Sequence, residues 1–226
     1  MIRFEHVTMR YSSGTFALQD ITFTIEQGQF VFLIGPSGAG KTSLLRLIMR
    51  QIIPDEGSVF IDNEEISARN FNASDALRKK IGTVFQDFKI IQDRSALENV
   101  IVGLEIMHHK NPKEEAMNAL TLAGIEKKAG FFPLQLSAGE QQRLAIARAI
   151  AGGRQLILAD EPTGNVDPVT MWEIVHLFRK IHDDKRTILF ATHNAEIVNA
   201  LKQRVITVKK GKIVNDKQKG SYSLDL

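Results

Sequence analysis

The eight residues "GPSGAGKT", Gly35 to Thr42, constrain this chain more than any other stretch. They follow "FVFLI", an apolar run of buried-strand length, and lead into the helical run "KTSLLRLIMRQII". A strand, a glycine-rich turn ending in Lys-Thr and then a helix is the setting in which this pattern holds phosphate. Gly38 and Gly40 allow backbone conformations that carry amide hydrogens inward around phosphate oxygens. Lys41 supplies a point charge for β and γ phosphates, and the Thr42 hydroxyl is a ligand for Mg²⁺. Gly35, Pro36, Ser37, Gly38, Ala39, Gly40, Lys41, Thr42 and Ser43 are therefore the expected nucleotide-binding residues. The plainer alternative, a strand-to-helix turn without ligand, leaves the Lys-Thr pair unexplained.

A second site should bring acid groups to the metal and the attacking water. "LILADEP", Leu156 to Pro162, is an apolar strand with two carboxylates at its C-terminal end, where ligands sit in open α/β sheets. Asp160 is placed to hold Mg²⁺ and Glu161 to polarise water. The bland reading makes Asp160 a cap and Glu161 a solvated strand end. His193, in "ATHN", follows another apolar strand, "TILFAT", and reads as a γ-phosphate contact if the sheet is parallel. Gln86, in "TVFQDF", follows a further strand-like run, where a neutral amide can ligate Mg²⁺ or orient water.

The remaining pattern sets these pieces in an α/β frame. Residues 1–30 alternate as short strands around "SSGT", predicting a small antiparallel sheet. "PDEG" at 54–57 ends the first helix and "SVFID" returns as a strand. Residues 88–150 read as mostly helical, with Asn111 as a cap and Pro112 at the first position of "NPKEEAMNALTLAGI". After Gly153 the chain alternates strand and helix, which predicts a parallel sheet covered on both faces. "KKGK" at 209–212 reads as a turn between strands, and "QKGSYSLDL" as a loose tail. The expectation is one phosphate-loop NTPase domain over residues 1–226. Its α/β core holds a mostly parallel sheet and an N-terminal antiparallel β subdomain (about 1–87 and 151–226), with a helical subdomain inserted at about 88–150.

"LSAGEQQR", residues 136–143, reads in two ways. Ser137 and Glu140 form a Ser-x-x-Glu capping box at a helix start. A glycine and a serine at a helix N-terminus also suit a phosphate. Taken with the motifs above, this stretch makes the chain resemble the nucleotide-binding domain of an ABC ATPase over nearly its whole length. The resemblance implies that Gln86 is the Q-loop residue and "LILAD" the Walker B strand. It makes Glu161 the catalytic carboxylate, Asn165 and Asp167 of "TGNVD" the D-loop, and His193 the switch histidine. It also implies that Tyr11 stacks on adenine. Two chains would close head to tail around two ATP, with Ser137, Ala138, Gly139 and Glu140 of one facing the γ-phosphate held by the other.

Two departures stand out: the family usually has Gly where this chain has Ala138 and Gln where it has Glu140. "GEQQR" and "ADEPTGN" point to the branch containing cell-division, lipoprotein-release and macrolide-efflux ATPases, and "MIRFEHV", "VFQDFKII" and "DRSALENV" look most like its cell-division members. That implies an integral membrane subunit as partner, at the cytoplasmic face of the bacterial inner membrane.

Composition narrows the remainder. No cysteine is present, so disulfides and thiolate metal sites are excluded. A net charge of +3 without a dense Lys/Arg block gives no ground for nucleic-acid binding. "MIRFEHVTMRY" lacks the apolar centre of a secretory signal, and no apolar run approaches bilayer length, so membrane contact is expected through the partner alone.

Overall fold

A computed structural model describes residues 1–11 and 13–224. Its elements run in the order β1 (Ile2–Arg10), β2 (Phe16–Ile25), β3 (Phe30–Ile34), α1 (Lys41–Ile48), β4 (Glu56–Ile61), β5 (Glu64–Glu65) and α2 (Ser74–Lys80). Next come β6 (Ile81–Val84), α3 (Ala96–Ile106), α4 (Pro112–Ala123), α5 (Ala138–Ile150), β7 (Leu156–Asp160) and α6 (Pro168–Asp183). The chain finishes with β8 (Thr187–Ala191), α7 (Ala195–Leu201), β9 (Arg204–Lys209) and β10 (Lys212–Lys217). It divides into two compact units, Met1–Arg78 with Thr187–Leu226, and Lys79–Arg186.

In the first unit, β1 pairs antiparallel with β2 and β4, which gives the expected N-terminal sheet. Phe4 and Phe23 stack on it with ring centroids 4.6 Å apart. β3 pairs parallel with β8 on one side and β9 on the other. Every residue of β3 and β8 is buried, so their sequences run apolar rather than alternating, apart from Thr187 at the start of β8. Phe30, Phe32 and Phe190 fill this layer, with centroids 5.1 to 6.0 Å apart. Lys210 and Gly211, at φ 50° and 74°, make the tight turn from β9 to β10.

Two expectations change here. The first helix ends at Ile48 rather than running to "QII", because Arg50 adopts φ 51° and its guanidinium reaches the carbonyls of Ile66 and Ala68. The tail is tied down as far as Leu224. Gly220 donates to the Gln203 carbonyl, Tyr222 to Asn199 Oδ1, and Lys209 Nζ to the Leu224 carbonyl. Asp225 and Leu226, the end of that predicted tail, lie outside the described residues.

In the second unit β6 and β7 pair parallel. α5 lies close against β6: a Cβ on Gly82 would stand 1.9 Å from the Ala149 carbonyl oxygen, so this position accepts only glycine. α3 and α5 each begin with a complete capping box, Ser95 with Glu98 and Ser137 with Glu140. Asn111 holds the cap position of α4 and Pro112 follows it, but the Asn111 side chain bonds Glu114 instead of a helix amide. The region before α3 is a loop, not a helix. Asn99, buried in α3, anchors it through Ile91, Arg94 and Ser95.

Candidate functional site

Strand register decides what the first unit presents at its edge. β3 and β8 run parallel with Leu33 opposite Ala191, and Gly35 and His193 each lie two residues further on. The glycine-rich loop and the exposed His193 thus leave neighbouring strands at the same end. Thr192 holds that exit, its amide bonded to the Leu33 carbonyl and its hydroxyl accepting from Asn194, which then caps α7.

Within the loop, Gly40 has φ 112°, and a Cβ there would meet the Ala17 carbonyl and Leu18 at 2.8 Å. Gly38, at φ 74°, faces open space. No side chain caps α1, so its N-terminus opens onto the loop. Lys41 is buried and donates from Nζ to the carbonyls of Gly35 (2.7 Å) and Pro36 (3.2 Å), which holds the ammonium across the loop. Thr42, the next residue, is exposed. Tyr11, 49% exposed, donates its backbone amide to the Thr15 carbonyl.

The second unit repeats the device. Val84 of β6 lies opposite Ala159 of β7, and Gln86 and Glu161 each follow two residues later. Asp160 is the last strand residue. Glu161 has φ 47°, a left-handed conformation costing a non-glycine residue about 1 kcal/mol, and its carbonyl accepts from Gly164 to close a turn. That turn delivers Asn165, whose side-chain amide reaches the Gln86 carbonyl at 2.8 Å. Asp167 caps α6 through the amides of Val169 and Thr170, and the Thr170 hydroxyl donates to it as well. These bonds, the hydroxyl first, hold the Asp167 carboxyl below its usual range.

The capping reading of "LSAGEQQR" holds in the structure. Glu140 donates its backbone amide to Ser137 Oγ at 3.3 Å, and its carboxylate accepts from the Ser137 amide at 2.8 Å. That amide and the charge of Lys128 keep the Glu140 carboxyl below its usual value. Ala138 is the first residue of α5 and lacks a positive φ, so its methyl carries no left-handed strain. Gly139 is different: a Cβ there would stand 2.5 Å from Thr170 Cγ2. The start of α5 is therefore seated against the start of α6, and Thr170 is a site neighbour that reading motif by motif does not reveal.

Of the aromatic and aliphatic residues around Gln86, Ile90 is buried, Phe85 and Phe88 are half-buried, and Ile91 is 37% exposed. Among the described residues no helix is long and apolar enough to cross a membrane.

A phosphate loop on one strand–helix junction, with a carboxylate pair ending another parallel strand, defines a phosphate-loop nucleotide hydrolase. The ABC transporter family matches residues 18–164, and the chain belongs to that family as an ABC-type ATPase. It is 39% identical over 227 residues to the cell division ATP-binding protein FtsE of Streptococcus pneumoniae, covering all of this chain and 99% of that one. It is 41% identical over 224 residues to FtsE of Bacillus subtilis, covering 98% of each. Its fold matches the dimeric ATP-binding cassette MJ0796 in a post-hydrolysis state bound to ADP and Pi. There the TM-score is 0.88 and identity 34%, over 98% of this chain and all of that one.

Proposed function

We propose that this chain is the ATP-hydrolysing subunit of a membrane complex in bacterial cell division. It works as a homodimer around two ATP, at the cytoplasmic face of the inner membrane. Its partner is an FtsX-like integral subunit, through which ATP-driven movement controls cell-wall hydrolases. The near full-length similarity to FtsE proteins supports the division role. The shared strand register supports the chemistry, since it sends Gly35 and His193 out together from one pair of strands and Gln86 and Glu161 from the other.

In this reading the Gly35–Ser43 loop and α1 hold the phosphates through backbone amides, with Lys41 as the fixed charge. Tyr11 offers its ring to the adenine. Glu161 accepts the proton of the attacking water, and His193 contacts the γ-phosphate. Thr42, Gln86 and Asp160 are hard oxygen donors, a set that suits Mg²⁺, and they would hold it. The metal, when bound, neutralises charge developing on the phosphate oxygens. Ser137 to Glu140 of the second copy add the helix N-terminus of α5 to the same phosphate. Asn165 and Asp167 join that interface from the D-loop.

The test recovers tagged Glu161→Gln protein, loaded with ATP, from native membranes and identifies the integral protein that accompanies it. An FtsX-like subunit is the expected result. A lipoprotein-release or efflux permease would keep the ATPase and move the chain to the transport reading, which "GEQQR" and "ADEPTGN" also suit. Recovery of no membrane protein would overturn the partner assignment.

A further inference from the structure

In the first unit the glycine-rich loop is braced from behind by the end of β9 and the turn that follows it. Register makes the first contact. Leu33 and Ile34 of β3 lie opposite Ile206 and Thr207 of β9, which brings Val208 alongside Gly35. A Cβ on Gly35 would stand 2.2 Å from the Val208 carbonyl oxygen, so the loop leaves β3 pressed against β9. The second contact comes three residues later, in the Lys210–Gly211 turn. Gly211 is buried, with φ 74°, and donates its amide to the Ala39 carbonyl at 3.0 Å. Its own carbonyl accepts from the Gln19 amide of β2 at 2.8 Å. The Ala17 carbonyl closes the junction, since it would lie 2.8 Å from a Cβ on Gly40 and 2.8 Å from one on Gly211. Loop, β2 and turn thus meet backbone to backbone.

The Ala39 carbonyl and the Gly40 amide belong to one planar trans peptide, so they point in opposite directions. Gripping that carbonyl from outside the loop aims the Gly40 N–H inward, toward the side where the loop's amides meet phosphate. Donors ordered before the ligand arrives bind it more tightly, because their freedom is already lost. We propose that Gly211 is a positioning residue for nucleotide binding. Its amide fixes the Ala39–Gly40 peptide, and its carbonyl ties that peptide to β2, the strand that follows Tyr11. The proposal rests on the assignment of Gly35–Ser43 to phosphate made above. Only backbone atoms form the two bonds, so residue 211 matters through what it lacks. Any Cβ there would push the turn off the Ala17 carbonyl and draw its amide away from Ala39.

The experiment measures MgADP affinity of the full chain by calorimetry, which reports the loop apart from turnover. Gly211→Asn is the test variant. Asn tolerates a left-handed backbone, so its Cβ against the Ala17 carbonyl is the main disturbance. Kd should rise at least about tenfold, the effect of losing one hydrogen bond to a charged group. Lys210→Asn changes the same turn without a Cβ at 211 and should stay within about twofold. Asp216→Ala separates positioning from general loosening. It breaks the doubly bonded ion pair with Arg204 near the far end of β10. Unfolding stability should fall while Kd stays within about twofold, as for independent sites. An unchanged Kd in Gly211→Asn, or an equal rise in Asp216→Ala, overturns the proposal. Should Gly211→Asn not fold, hydrogen exchange on the unmodified chain decides. MgADP should slow residues 209–212 together with 35–43 and leave 214–219 unaffected, and exchange at 209–212 that ignores MgADP overturns the brace. Lys41→Ala tests the underlying reading separately. If that variant binds MgADP normally, the assignment of Gly35–Ser43 to phosphate has itself failed.

Discussion

Asn165 donates its side-chain amide to the main-chain oxygen of Gln86 across 2.8 Å. The contact is reinforced from below: a Cβ on Gly164 would lie 3.5 Å from Gln86 Nε2, so the Gln86 side chain rests on that glycine. Gly164 in turn donates to the Glu161 carbonyl. Gln86 and Glu161 are thereby tied to one short turn within the second unit, Glu161 through Gly164 and Gln86 through Asn165.

Removing the Asn165 amide should therefore be felt at turnover rather than at nucleotide affinity. Asn165→Ala loses one hydrogen bond, about 1 kcal/mol, and should lower kcat about fivefold at unchanged KM for ATP. Asn165→Asp should be worse, since it sets an acceptor against the Gln86 carbonyl. Steady-state hydrolysis of the three proteins decides it, and equal kcat values would reduce the contact to loop packing.

Much of this was legible in the sequence because it is written locally. The phosphate loop, the capping box of Ser137 and Glu140, and the apolar strands ending in Asp160 and before His193 each depend on residues close together in the chain. The link from Asn165 to Gln86 spans 79 residues and the ion pair of Arg143 with Glu173 spans 30, so no local pattern announces them. The anchored tail escapes local pattern for the same reason. Its polar, glycine-containing residues look loose, yet Gly220 lies against Val205 of β9, where a Cβ would stand 2.6 Å from a methyl. Glu161 is a subtler case, because nothing in "ADEPTG" states that a glutamate takes a left-handed backbone.

The two small residues of "LSAGEQQR", Ala138 and Gly139, should respond in opposite ways. Ala138 already sits in helical backbone, so Ala138→Gly should leave turnover unchanged and cost up to about 1 kcal/mol of stability. Gly139→Ala drives a methyl into Thr170 Cγ2, and Thr170 cannot rotate freely while its hydroxyl is bonded to Asp167. The overpacking should cost about 1–3 kcal/mol and displace the start of α5. Thr170→Ser deletes that methyl and keeps the hydroxyl, so it should restore most of the loss in the double variant. Chemical unfolding of the four proteins measures this, and a Gly139→Ala chain as stable as the parent would contradict the contact.

The capping box should also be visible in the pH dependence of stability. The Glu140 carboxyl is held below its usual 4.5 by the Ser137 amide and Lys128, so its charged form belongs preferentially to the folded state. Stability from this source is present above pH 4.5 and is lost as pH falls through the lowered folded value. Glu140→Gln should thus be about 0.5 kcal/mol less stable near neutral pH, with the gap closing in acid. Urea unfolding across that range provides the check, and a gap independent of pH would remove the charge from the explanation.

Gln142 yields the prediction with the sharpest alternative outcomes. It is 1% exposed in α5, and both its amide oxygen and its amide nitrogen are buried without partners among the described residues. Leaving polar atoms buried and unmet costs about 1–3 kcal/mol each, which an apolar side chain of similar length avoids. Gln142→Met should therefore raise stability by at least about 1 kcal/mol, read as a higher denaturant midpoint at constant slope. If hydrolysis is unchanged, the amide is a cost the fold carries without return. If hydrolysis falls as stability rises, the amide acquires a partner during the catalytic cycle, and α5 must shift to provide one. A Gln142→Met protein no more stable than the parent would mean that the amide is already satisfied in solution.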